Sequence, residues 1–160
     1  MPYIHPIIRR AAMVLGLSVT VSVPMGFADT VNGSNLCTSL KTLTELAALN
    51  FNGLAAAQPL PDADKCRMIQ TLSGSKTYHC SWKFPFRDRA ASEAFEAYNQ
   101  EIAACFVNST QAVQDHGVNH PDSYQQIQHE IGDAAVSVSI KDKGALEETY
   151  VFVAVRGPKP

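Results

Sequence analysis

Four cysteines and a run of histidines and acids are the residues of this 160-residue chain whose types and spacing could carry chemistry. The cysteines are Cys37, Cys66, Cys80 and Cys105, and no two of them form a Cys-x-x-Cys pair. A zinc ribbon or a dithiol redox centre is therefore not indicated. An even count reads instead as two disulfides formed in an oxidising compartment. The second group is His116 and His120, with Asp115 and Asp122 beside them and His129 further on. Imidazoles and carboxylates at that density could hold Zn²⁺ or Cu²⁺. An i, i+4 histidine pair grips a metal well only on a helix, however, and Gly117 and Pro121 make this stretch a loop. It reads as a solvated connector, and no metal or other cofactor is expected. Asp62 and Asp64 resemble a fragment of a calcium loop, but the glycine and distal glutamate of that motif are missing.

Recognition has a better handle than catalysis. The run from Trp82 to Arg89 interleaves aromatics with cations, and Trp82, Lys83, Phe84, Arg87 and Arg89 are the candidate binding residues. Against this, strand alternation would put Trp82, Phe84 and Phe86 on one buried face and leave Lys83 and Arg87 outside. A second candidate surface is the strand around Gln125, Gln126 and Gln128, whose polar edge could accept a partner strand. No nucleophile elbow, HExxH, phosphate loop or dinucleotide glycine pattern is present, and the acids are scattered rather than paired.

The elements that must position these residues begin after a leader. Arg9-Arg10 is followed by an uncharged stretch from Ala11 to Ala28, broken by Pro24 and ending in small Gly26 and Ala28. This has the form of a secretory signal peptide over residues 1–28, too diluted by Ser, Thr, Pro and Gly for a membrane anchor. Its removal takes two arginines and no acid, leaving 11 basic against 15 acidic side chains. A mildly acidic chain is a poor candidate for nucleic acid or an anionic membrane, because both need a basic footprint. Residues 29–160 are long enough for a single domain with its own core. The expected location is periplasmic or secreted.

Within that domain, apolar spacing and caps predict a helix over about 35–50, and a Pro- and Ala-rich connector follows it. Two β-rich runs, 66–72 and 76–86, surround Ser73-Gly74-Ser75 and predict a hairpin. Ala91, Phe95, Tyr98, Ile102, Cys105 and Phe106 fall on one face of a helix over about 88–107, frayed onward to Val113, with Asp88 as N-cap. After a polar loop at 114–123, strands are expected at 123–131, 134–141 and 147–156. The last is apolar on both faces and belongs in the centre. The first is polar and belongs at an edge or on an open face.

The order α-β-β-α-β-β-β predicts a two-layer α+β fold: an antiparallel sheet of about five strands with two helices on one face. Sequence alone leaves three ways to pair the cysteines. Cys37–Cys105 with Cys66–Cys80 joins helix to helix and strand to strand, adding about 4 and about 3 kcal/mol in the chain-entropy model. Cys37–Cys66 with Cys80–Cys105 would staple helix to sheet and is the close rival. Either assigns every cysteine to architecture. The expected function is a non-catalytic binding or accessory protein of inhibitor or immunity type, contacting another envelope or secreted protein. The alternative is a small envelope enzyme or metal-binding protein using the His116/His120 loop.

Overall fold

The computed structural model describes residues 33–52, 54, 59–70, 72, 74–115 and 123–158. The leader at 1–28, and His116, His120 and Asp122, lie outside the described residues. Helix α1 (Gly33–Ala48) forms because Leu36, Leu40, Leu43 and Ala47 recur at helical spacing and are all buried. It ends where Asn50 and Phe51 adopt left-handed backbone, with Phe51 N–H donating to Leu46 O at 2.7 Å. The helix thus ends two residues short of the expected end near 50. Phe51 itself turns into the core.

Strands β1 (Lys65–Gln70) and β2 (Lys76–Pro85) make the expected hairpin, with Cys66 directly opposite Cys80. Helix α2 (Arg89–Cys105) starts at Asp88, whose Oδ1 accepts from Ala90 N–H at 2.8 Å. Its stripe of Ala91, Phe95, Tyr98 and Ile102 is buried. The remaining strands are β3 (Thr110–Asp115), β4 (Tyr124–Ile131), β5 (Ala134–Lys143) and β6 (Glu148–Arg156), with a short 3-10 turn at Gly144–Leu146.

All neighbouring strands are antiparallel, in the order β1-β2-β6-β5-β4-β3. After β2 the chain crosses the sheet as α2. It then meanders back from the far edge until β6 zips against β2. The sheet therefore has six strands rather than five. The additional one is β3, which occupies residues expected to be helix fray and loop. It covers the edge of β4, so the Gln-rich strand is not open to a partner along its backbone. β4 does carry Gln126 and Gln128 on an open sheet face, while β6 is central as expected.

Both helices pack on one face. Tyr78, Cys80 and Trp82 of β2, Val151, Val153 and Val155 of β6, and Val136 and Val138 of β5 meet the helix stripes in one core. The disulfides are Cys37–Cys105, tying α1 to α2, and Cys66–Cys80, tying β1 to β2. The helix-to-sheet pairing is excluded. Two disulfides mark a chain of an oxidising, non-cytoplasmic compartment. No described helix is long and apolar enough to cross a membrane.

Candidate functional site

Strand alternation and the bend after β2 divide the five candidate binding residues among four environments. Trp82 points into the core, its ring 4.5 Å from that of Tyr98 and its Nε1–H donating to Pro61 O at 3.3 Å. Phe84 lies on the same face, half-buried against the core. Lys83 stands on the opposite face, with Nζ 3.2 Å from Glu148 Oε1. Arg89 opens α2 and pairs with Glu93 at 3.1 Å on the exposed helix surface. Asp64 is engaged too: its Oδ2 accepts the Lys83 backbone N–H at 2.6 Å, and Asp62 sits in a left-handed turn before β1.

Arg87 occupies the bend, in left-handed backbone that a side-chain-bearing residue adopts only when held there. Its N–H donates to Thr149 Oγ1 at 2.8 Å, its Nε to Asp142 Oδ2 at 3.1 Å, and its guanidinium lies 4.9 Å from the centre of the Phe86 ring. Asp142 is buried and accepts three side-chain bonds, the others coming from Ser123 Oγ and Thr149 Oγ1, each at 2.6 Å. Burial pushes the Asp142 carboxyl up. The hydrogen bonds from Ser123, Thr149 and Arg87, together with the Arg87 charge, outweigh that and hold it below the usual carboxylate range. A carboxylate kept ionised with its lone pairs occupied is a poor general base. The cluster borders a cavity of about 330 Å³ lined also by Ser92, Tyr124 and Gln125.

His129 follows the same logic. It is buried on the core face between Ser109 Oγ, 3.3 Å from Nδ1, and Asn99 Oδ1, 3.0 Å from Nε2. Burial lowers its pKa. Among the described residues no three His, Cys, Asp or Glu side chains are grouped to hold a metal.

The face of the sheet away from the helices has a different character. In successive rows across the strands it carries Lys83–Tyr150–Lys141–Tyr124, then Ser81–Phe152–Ser139–Gln126, then Arg67–His79–Ala154–Ser137–Gln128. Tyr150 and Phe152 stack at 5.8 Å and 15°, and His79 meets Phe152 edge-on at 5.7 Å. Lys141 Nζ lies 5.8 Å from the Tyr124 ring centre.

The Tyr150 hydroxyl donates to Glu148, and this bond raises the phenol's pKa and lowers the carboxylate's. The bond to Glu148, then its charge, raises the pKa of Lys83. Burial, and then the Arg67 charge, lowers that of His79. No described helix covers this face. It combines partly exposed aromatics, hydroxyls, amides and cations, which are the groups of a recognition surface.

Of the sequence candidates, Lys83, Gln126 and Gln128 belong to this face. Tyr150, Phe152, His79, Tyr124 and Lys141 are not among those candidates. The signal lay in β6, where valines at 151, 153 and 155 alternate with a tyrosine and a phenylalanine. A strand buried on both faces needs no such sorting of residue types.

No known family's sequence profile matches the chain. No curated protein matches it. Among solved structures there is a partial likeness to CalU16 from Micromonospora echinospora. It covers 59% of this chain and 68% of that one at 7% identity, with a TM-score of 0.28, too slight to bear on fold or function.

Proposed function

We propose that this chain is a non-catalytic binding protein that recognises another protein through the open face of its sheet. One observation carries the reading: the described helices cover one face only, and the other presents Tyr150, Phe152 and His79 among Ser, Gln and Lys. The described polar groups that could have been reactive support it, since Asp142 and His129 are used up in hydrogen bonds within the fold. The leader-like N-terminus adds that the protein works in the periplasm or after secretion, where its partner is another envelope or secreted protein.

The test is capture from the host's envelope and secreted fractions by immobilised wild type and by Tyr150→Ser/Phe152→Ser, both first shown to be folded. A partner retained by wild type and lost by the double variant is expected. Identical retention by both would remove this face from the function.

A further inference from the structure

The open face is charged against the rest of the chain. Six of the 13 Lys and Arg residues stand at its strand positions, namely Lys65, Arg67, Lys83, Lys141, Lys143 and Arg156, against two of the 15 acids, Glu130 and Glu148, with Asp64 at its edge beside Lys83. A protein of net charge −2 thus offers a face with four more positive than negative side chains. Surface charge of one sign steers encounter with a partner of the opposite sign and disfavours partners of its own.

We infer that the partner engages this face through an acidic polypeptide segment whose carboxylates flank an apolar or aromatic side chain. The inference rests on the binding reading above and adds the chemistry of the partner. Lys83 and Lys141 stand on either side of Tyr150 in one row, about 10 Å apart by two strand spacings. An extended segment covers that distance in about three residues. Its carboxylates would meet the two ammonium groups while a side chain between them packs at Tyr150 and Phe152. The two rings stack on each other, so their outward parts include positive edges, which suit an anionic neighbour.

A polypeptide fits better than a polyphosphate backbone. The face includes acceptors as well as donors: the Gln126 and Gln128 amides, the Ser137 hydroxyl, and the carboxylates of Glu130 and Glu148. A peptide main chain can satisfy both kinds, whereas a phosphate chain only accepts and would be repelled by the two acids.

The experiment is titration calorimetry of the full-length mature protein at low salt against a glutamate–tyrosine copolymer, with polylysine and inorganic polyphosphate as comparison probes. The copolymer should bind and weaken as salt rises. Lys83→Glu and Lys141→Glu should each weaken it by about tenfold. Lys41→Glu, the same charge change on exposed helix α1, should leave it within about twofold. No copolymer binding, equal loss in Lys41→Glu, or polyphosphate binding as tight as the copolymer would each overturn the acidic-segment inference. If that happens while native capture still depends on Tyr150 and Phe152, the binding face stands and only its partner chemistry falls. If capture fails as well, both fall.

Discussion

At the scale of single residues, the groups that look most reactive are the ones most fully occupied. Asp142, near the end of β5, ties together the bend after β2, the start of β6 and the approach to β4 through Arg87, Thr149 and Ser123 in turn. Its pH signature follows from the direction of its shift. The folded carboxyl is held below its ordinary value of 3.8, so the unfolded chain takes up the proton first as pH falls. The stabilisation is complete above that value and is lost as pH drops through the lower folded one. The buried His129 adds an earlier loss, beginning near its ordinary 6.5, because the unfolded imidazole protonates while the buried one resists. Glu101 acts oppositely. Burial raises its pKa and its Oε1 has no partner among the described residues, so acid relieves a cost there. A wild-type curve sums all three together with the lowered His79 and Glu148. The difference between wild type and Asp142→Asn isolates one. Urea unfolding should put the variant about 2 kcal/mol lower at pH 7, a figure reduced because Arg87 is half exposed. The gap should stay flat to about pH 4 and close below it. A gap that persists unchanged at pH 2.5 would show that the carboxylate charge is not what the cluster uses.

At the scale of elements, what could be read from sequence was whatever had one wet and one buried side. The stripe of α2, its Asp88 cap, the β1–β2 hairpin with Cys66 facing Cys80, and the alternation of β5 all carry that contrast. β3 carries little of it. Thr110, Gln111 and Ala112 are exposed, and Val113 is its one large apolar residue, so an edge strand gives almost no period to detect. The open-face aromatics escape a sequence reading for the converse reason: partly exposed rings on β6 look like core when counted by hydropathy alone. Close approach of two elements is equally invisible in composition. Gly157 ends β6 against the last turn of α1, where an added Cβ would lie 2.6 Å from Ala47 O. That neighbour is backbone at a fully buried residue and cannot swing aside. Gly157→Ala must therefore push α1 from the sheet. It should destabilise by about 1–3 kcal/mol in thermal or urea unfolding. Gly157→Val should be worse. An alanine variant as stable as wild type would mean that α1 is not seated against β6.

At the scale of the whole molecule, the two disulfides sit at points of different mechanical importance. Cys37–Cys105 links the two helices across a sequence separation of 68, spanning the hairpin and the α2 crossover. Cys66–Cys80 has a separation of 14 and secures only β1, an edge strand whose sheet pairing is confined to β2. Loop entropy alone gives about 4 and about 3 kcal/mol, a modest difference. Placement separates the two bonds more sharply. Without Cys66–Cys80, β1 can peel from β2 while β6, β5 and β4 keep their ladder and the helices keep their core, so the loss is local. Without Cys37–Cys105, α1 loses its covalent link to α2 and is held by the packing of Leu36, Leu40, Leu43 and Ala47 alone, so the whole layered core loosens. Hydrogen exchange on Cys66→Ala/Cys80→Ala should show fast amides in β1, with β5 and β6 protected nearly as in wild type. Cys37→Ala/Cys105→Ala should speed exchange in β5 and β6 together. The open face distinguishes the two further, because Arg67 and Lys65 ride on β1 whereas Tyr150, Phe152 and Lys141 do not. Copolymer binding by the Cys66→Ala/Cys80→Ala protein should therefore weaken only in part. If β1 stayed as protected as β5 in that variant, the hairpin's own packing, rather than its sulfurs, would be what completes the sheet.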